Sequence, residues 1–589
     1  MPSPLPQNKT RYTFSRELVL ERTWPFFLDL TVAAGLLAGF YAILWIAKFW
    51  FSGAIPEVEI YRSPSHLPLY AFYSTVRIFV AYLLSLIFAI GYGYIAAYNK
   101  RVEALMIATL DILQSIPVLS FLPGVMLAMM SLFPSRQIGI ELGAILLIFT
   151  GEVWNMAFSF YSSLKSIPRE LHEACTINRF SAWQRLFQLE LPYATIGLVW
   201  NSMVSVASGW FFLMVCEMFP VGSRNFRLPG LGSYLQTAAA NGDDHAMIYG
   251  IITMILIIVL TDQLLWRPII AWSDKFKFEN VESAVRITSP VLHLLRNSNL
   301  LSTLHRTTFA PLSEQLYRRI ARRNDRRFAH GEPTTPKASR RSTAGMVLVA
   351  LVAIMAIAYA AFRALMLLRQ VHSGELVSLF EGAGATFLRV NVSLLLASLW
   401  TIPVGVAIGF HPRLANLTQP LAQIAASFPA TALFPVILLA LMRLGLGLGI
   451  GSVALMMLGT QWYILFNVIA GAMAIPSDLK EVSDLFHFAS VQRWTTVILP
   501  GIFPFLITGL VTASGGAWNA SIVAEYFQLK DKTLITTGLG AQISSASTHG
   551  NYPTLLLATI IMALMVVTIN RLVWRPLYRL AETKYRLEG

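Results

Sequence analysis

Two stretches of the chain carry polar residues at a repeated spacing. One runs from Ser166 to Pro192 and the other from Ile475 to Pro500. Each opens on Ile-Pro (Ile167-Pro168, Ile475-Pro476) and closes on Leu-Pro (Leu191-Pro192, Leu499-Pro500). Each also holds an acid, Glu173 or Glu481, 19 residues before its last proline. Proline suits the first turn of a helix, where no N–H is needed, and acids in that turn suit the helix dipole. Leu171, Ala174 and Cys175 fall at i, i+3 and i+4 and make a short apolar face. Ser181 can cap a second short helix. Each stretch therefore predicts a helix–turn–helix with an acid near its middle, fit to meet a partner's basic groove. The plainer alternative is a polar loop that only reverses the chain.

Other chemistry finds little support. A phosphate-cradling loop needs Gly-Lys before Ser or Thr, and no Gly-Lys dipeptide occurs in the 589 residues. His172, His487 and His549 are scattered, and Cys175 and Cys216 make neither a disulfide framework nor a metal site. No nucleophile–base pair or metal cluster emerges. The chain is expected to bind no metal or nucleotide of its own.

The elements that must position these loops are membrane spans. The chain is 55% hydrophobic and 13% charged, where a soluble domain carries roughly 25% charge. Mean hydropathy is +0.59. Many apolar runs reach the roughly 20 residues needed to cross a bilayer, and they are too long and continuous for barrel strands, so helices are expected. The pattern predicts spans at 27–51, 70–97, 104–133, 139–163, 192–219 and 246–271, then at 344–368, 383–410, 414–441, 447–472, 500–525 and 552–575. That is an all-α membrane protein of about 12 transmembrane helices. Prolines interrupt the third span of each set and predict a bend there. The boundaries are a cytoplasmic segment 1–26, membrane domains 27–272 and 344–589, and a basic linker 273–343.

The net charge of +14 lies mostly between spans, which fits the positive-inside bias rather than nucleic-acid binding. With the N-terminus inside, the first half places 13 basic residues on inner segments and 6 on outer ones. Both termini and the linker are then cytoplasmic, and the arginine pairs of the linker (Arg318-Arg319, Arg340-Arg341 among them) lie near anionic lipid.

The two halves repeat. At an offset of 308, Gly151, Trp154, Glu173, Arg185, Pro192, Trp210 and Glu217 match Gly459, Trp462, Glu481, Arg493, Pro500, Trp518 and Glu525. Gly230-Leu231-Gly232 matches Gly538-Leu539-Gly540, and Trp266-Arg267-Pro268 matches Trp574-Arg575-Pro576. Upstream the offset is 312, pairing Arg77, Pro117 and Pro123 with Arg389, Pro429 and Pro435. Six spans per half make these parallel repeats, with a solute path between them. Charges inside spans face a cavity or a partner. Asp111, Gln114, Ser115, Glu152, Trp154, Asn155, Trp210, Ser427, Trp462 and Trp518 are the candidate path residues, and Asp262 is a further acid within a span. Glu217 and Glu525 are expected to pair with Arg77 and Arg389 as structural ion pairs. The halves differ where Glu152, Asn155, Asp111 and Asp262 face Thr460, Tyr463, Gln423 and Asn570. That asymmetry suggests polar work in the first half, or drift after fusion.

The polar loop resembles the cytoplasmic loop of ABC importer permeases, which reads Glu-Ala-Ala, three residues, Gly, and later Leu-Pro. Glu173, Ala174, Leu191 and Pro192 match it, as do Glu481, Leu499 and Pro500. Arg179 and His487 stand where that family has glycine, and Val482-Ser483 replaces the alanine pair. With the repeated prolines, the Gly-Leu-Gly and the Trp-Arg-Pro, the chain resembles two fused permeases of the nitrate/sulfonate/taurine type. The resemblance implies two tandem six-helix repeats of the type I importer membrane domain in a bacterial inner membrane. It implies docking of both loops on two copies of a separate ATPase, which uses ATP and Mg. It also implies a periplasmic binding protein that delivers a small solute, such as nitrate, bicarbonate or a sulfonate. The Gly-Leu-Gly loops would touch that protein or simply turn the chain. An ATP-independent secondary transporter with two six-helix halves is the alternative, and it leaves the long loops unexplained.

Overall fold

The computed structural model describes residues 58–276 and 361–584, save 134–135, 222–223, 412–413, 415–417, 419–420, 423–424, 427 and 530–531, with a few isolated residues between 277 and 360. The expected span 27–51, the segment 1–26 and most of the linker and of the span 344–368 lie outside the described residues. So do parts of the span 414–441.

In the first half the helices are α1 (Leu67–Tyr98), α2 (Glu103–Ser115), α3 (Leu122–Leu132), α4 (Arg136–Ser166), α5 (Arg169–Ile177), α6 (Ala182–Arg185) and α7 (Leu191–Cys216). A hairpin of β1 (Met218–Val221) and β2 (Arg224–Arg227) follows, then α8 (Leu231–Asn241), α9 (Asp244–Thr261) and α10 (Arg267–Ser273). The second half repeats this order with α11 (Ser373–Phe410), α12 (Ala430–Arg443), α13 (Leu448–Ala474), α14 (Ser477–Leu485), α15 (Ser490–Arg493) and α16 (Leu499–Ala524). It closes on β3 (Tyr526–Leu529), β4 (Lys532–Ile535), α17 (Leu539–His549), α18 (Tyr552–Ile569) and α19 (Arg575–Lys584). Among the described residues, eight helices are long and apolar enough to cross a membrane, or nine if one broken pair counts as a span.

That pair is the third span of the first half. It bends by 83° at Ile116-Pro117, where Ile116 is extended (φ −82°, ψ 129°), as the ring of a following proline demands. In the second half α12 starts directly after Pro429. Each break reaches across to the other half. The 3₁₀ turn Val118–Phe121 packs on α16, and α12 packs on α7. Leu119 N–H points at Asn519 Oδ1, 3.5 Å away.

The fifth spans begin earlier than the Leu-Pro pairs suggest. The first runs from Ala182 and the second from Ser490, each without interruption to the far side. A π turn makes this possible. Leu191 N–H bonds back five residues to Leu186 O, immediately before Pro192, and Leu499 bonds to Trp494 O before Pro500. The same device precedes Pro268, with Arg267 bonded to Asp262 O, and Pro576, with Arg575 bonded to Asn570 O. Proline removes an N–H and its ring collides with the carbonyl four residues back. The wider π turn accommodates both faults without ending the helix.

The hairpins add a small β element to the helical repeats. Strands β1 and β2 pair antiparallel from Met218↔Arg227 to Val221↔Arg224, and β3 and β4 from Tyr526↔Ile535 to Leu529↔Lys532. One contiguous core runs through both halves. A smaller core in the first half joins Met156, Phe160 and Leu164 of α4 to Cys175 of α5, and so anchors the polar loop to the spans.

Candidate functional site

The polar loops are helical hairpins. Glu173 and Glu481 are exposed near the middles of α5 and α14. Cys175 turns inward, 8% exposed, and Ala174 stays outside. Burial pushes the Cys175 thiol up, which suits packing rather than reactivity. Helix α5 ends in a left-handed residue, Arg179 (φ 53°), and α14 ends in His487 (φ 49°). The next residue closes the turn on the carbonyl five back, Phe180 N–H on Cys175 O at 2.9 Å and Phe488 N–H on Ser483 O at 3.1 Å. This is the Schellman termination that glycine normally serves. Ser181 then caps α6 in a reciprocal pair with Gln184. Ala489 stands at the same place before α15 and has no capping side chain. Apolar side chains remain exposed at matching positions: Ile177 (79%) with Leu485 (76%), and Trp183 (62%) with Val491 (76%).

At the base of the first loop, Arg185 Nε meets the fully buried Glu190 at 2.7 Å and its guanidinium lies 4.5 Å from the Tyr98 ring centroid. Tyr98 Oη donates to the same Glu190 oxygen at 2.5 Å. The second loop has Arg493 over Phe410 at 5.7 Å, with Ile498 in place of the acid.

At the opposite end of the spans each half ties a polar knot. Arg77 donates to Glu217 at 2.7 Å, to Pro229 O at 2.8 Å and to both oxygens of Glu141 at 2.5 and 2.6 Å. Ser74 Oγ donates to Glu217 at 2.6 Å and receives Leu231 N–H at 2.9 Å, and Gly232 N–H donates to Glu217 at 2.6 Å. In the second half Arg389 donates to Glu525 at 2.9 Å and to Thr537 O at 2.5 Å. Thr386 and Gly540 complete that knot as Ser74 and Gly232 do in the first. A Cβ at Gly230 or Gly538 would run into the Glu217 or Glu525 carboxylate. The Gly-Leu-Gly thus gives the buried acid room and an N–H donor. Its backbone is extended (φ 177° at both Gly230 and Gly538), so space rather than conformation requires glycine.

Between the knots and the loops lies a cavity of about 740 Å³. Helix α7, the segment Ile258–Trp266, the Phe428–Ala430 bend, α13 and the outer part of α16 enclose it. Its wall includes Met473 and Ala474 at the loop-side end of α13, both exposed, so it opens toward the helical loops. A smaller void of about 150 Å³ lies nearer the hairpins, between Met214–Phe219 and Ile522–Gln528.

The family model for binding-protein-dependent transport system inner membrane components matches the chain twice, over residues 89–265 and 401–580. The chain belongs to this family. It is two ABC importer permease units fused in tandem, a multi-pass membrane protein. It is 27% identical to the nitrate import permease protein NrtB of Leptolyngbya laminosa over 203 residues, 34% of this chain and 68% of that protein. It is 27% identical to the taurine transport system permease protein TauC of Escherichia coli, over 29% of this chain and 58% of that one. It is 28% identical to the bicarbonate transport system permease protein CmpB of Synechococcus elongatus, over 25% and 51%.

Within the fused permease, the candidate path residues fall in several places. Trp210 and Trp462 line the cavity. Trp518 is buried in the core at 1% exposure, and Trp154 packs against the smaller first-half core with its Nε1 unpartnered. Gln114 Nε2 and Asn155 Oδ1 bond to each other at 3.3 Å. Glu152 is buried between α4 and α7, against Gly209, and neither carboxyl oxygen has a hydrogen-bond partner. It is not among the cavity's lining residues, whereas Asp262 is, paired with Arg267 at 3.4 Å. The side chains of Asp111 and Ser115, and Ser427 altogether, lie outside the described residues. Sequence reasoning passed over Phe211, Phe428, Phe466 and Asn519, which do line the cavity. Tyr463 entered it only as the replacement for Asn155. A one-turn spacing from Trp462 along α13 was the available signal for Phe466.

Proposed function

We propose that this fused permease forms the complete translocation path of an importer for a small anion or small organic solute. A periplasmic binding protein delivers the solute to the hairpin side. Two copies of a separate ATPase, which bind ATP and Mg, dock on the two helical loops. Both termini and the linker then lie in the cytoplasm, in accord with the basic residues on that side. The observation that carries this reading is the pair of loops. Each exposes an acid beside apolar side chains at matching positions, Ile177 with Leu485 and Trp183 with Val491. Large apolar side chains repeated on an exposed projection mark a contact surface. The nitrate, taurine and bicarbonate permeases among the relatives support an anionic solute.

The test is transport-coupled ATP hydrolysis in proteoliposomes holding the chain and its ATPase. The Glu173→Ala, Glu481→Ala double variant is expected to insert and fold normally but to lose at least about 90% of coupled turnover, as for truncation of central interface residues. Unchanged uptake and hydrolysis would remove the docking role. Because both units are in one chain, the mass of the solubilised complex is expected to correspond to one copy of this chain and two ATPase subunits. Two copies of this chain per ATPase pair would rule that arrangement out.

A further inference from the structure

The cavity also bears on what is carried. Nine aromatic side chains from the two halves line it, among them Trp200, Trp210 and Phe211 from α7, and Trp462, Tyr463 and Phe466 from α13. Among the described lining residues there is no lysine, arginine or histidine, and Asp262, the one charged side chain, already faces Arg267 at 3.4 Å. Two other polar side chains of the wall, Ser208 and Asn519, are engaged within the protein. Ser208 Oγ donates to Ser205 O at 2.7 Å, and Asn519 donates to Gly515 O at 3.2 Å and faces Leu119 N–H.

These features disfavour a bare inorganic ion. Such an anion would either shed its water with no cation to replace it or keep its shell against an apolar wall, and both cost free energy. The volume, by contrast, lies within the roughly 300–1,000 Å³ of sites that enclose organic ligands. Aromatic walls favour flat rings, which meet them edge-on or offset.

We propose that the cavity carries an organic solute with a flat, apolar ring rather than an inorganic anion. This rests on the permease reading above and names the solute class for it. The polar end of such a solute would point along the cavity toward its loop-side opening, where water can reach it, while the ring sits between α7 and α13.

Calorimetric titration of the full chain in lipid nanodiscs, with 2-naphthoate and separately with nitrate, tests the proposal. The naphthoate is expected to bind at least about tenfold more tightly than nitrate, the scale of one or two ring contacts. Trp462→Ala and, from the other half, Phe211→Ala are each expected to weaken it about tenfold, and Trp462→Phe to keep it within about threefold. Two alanine sites in different halves guard against one variant that fails to fold. Nitrate binding as tightly as the naphthoate, no naphthoate binding, or naphthoate binding indifferent to both alanine variants would each overturn the solute class. None of these touches the permease reading, which stands or falls on the coupled hydrolysis of the Glu173 and Glu481 variant.

Discussion

Beneath the first helical loop Arg185 and Tyr98 meet one oxygen of the buried Glu190, while beneath the second Arg493 sits over Phe410 and Ile498 stands in the place of Glu190. The backbone at the two places is the same, down to the π turn before the proline. The first loop is thus tied to α1 through the buried Glu190, whereas at the second Arg493 lies over the Phe410 ring of α11 and position 498 holds no acid. The central cavity is lopsided in the complementary sense. Helix α13 lines it along much of its length, and the matching α4 does not line it at all. The fusion has kept the scaffold of bends twofold and let the ionic contacts and the cavity lining diverge.

The knots at the hairpin side test how far the twofold scaffold extends. Arg77 is 4% exposed in its side chain and holds two acids, while Arg389 is 16% exposed and holds one. Removing either leaves a fully buried glutamate without its cation. Breaking a buried pair in this way costs about 3–5 kcal/mol. Arg77→Ala is expected at the upper end of that range and Arg389→Ala at the lower, read from unfolding in mixed detergent micelles. Equal losses would mean that Glu141 adds nothing, and negligible ones would show that the knots are not what holds the hairpin side together.

At the loops the contrast between halves is sharper and the effect smaller. Arg185→Ala strands the buried Glu190 with Tyr98 alone, at a cost of about 3 kcal/mol. Arg493→Ala removes a cation from over the Phe410 ring, a contact that is itself worth about 1 kcal/mol or less, and a smaller loss than for Arg185→Ala is expected. A cycle with Glu190→Ile, which copies the second half, should restore most of the stability lost in Arg185→Ala. If Arg185→Ala and Arg493→Ala cost the same, the ionic cluster is decoration and the two loop bases are equivalent.

Much of this architecture was legible from residue spacing, and the reasons for the rest are local. The repeat, the bend at Pro117 and the ion-paired acids show in residue types, because proline and buried charge leave few structural options. The π turns do not show, since Leu186–Glu190 and Trp494–Ile498 share no residue signature beyond the proline that follows. The hairpins were hidden by Pro220 and by strands of only four residues. The candidate path residues scattered because a span's rotation decides which face meets the cavity. Glu152 and Trp210 are equally plausible on paper, yet only Trp210 lines the cavity.

Arg179 and His487 are the subtlest case, because a rule about glycine was visible and the residues there disobey it. Both take φ near +50°, where a side chain crowds the following carbonyl and costs roughly 1–2 kcal/mol. Glycine escapes that strain but gives back part of the gain through the freedom it has when unfolded. His487→Gly is therefore expected to stabilise the chain by about 0.5–1 kcal/mol and Arg179→Gly by less, since Arg179 has an interaction of its own to lose, while alanine at the same sites keeps the strain and gains nothing. Backbone strain retained at a proposed docking surface points to a use for the side chain. Stability and transport then separate the two roles. If the side chains touch the ATPase, the glycine variants unfold later but turn over more slowly. If only the turn matters, they unfold later and transport as before. A glycine variant less stable than the parent would show that the left-handed turn is held by the side chain itself, and the strain argument would fall in both halves at once.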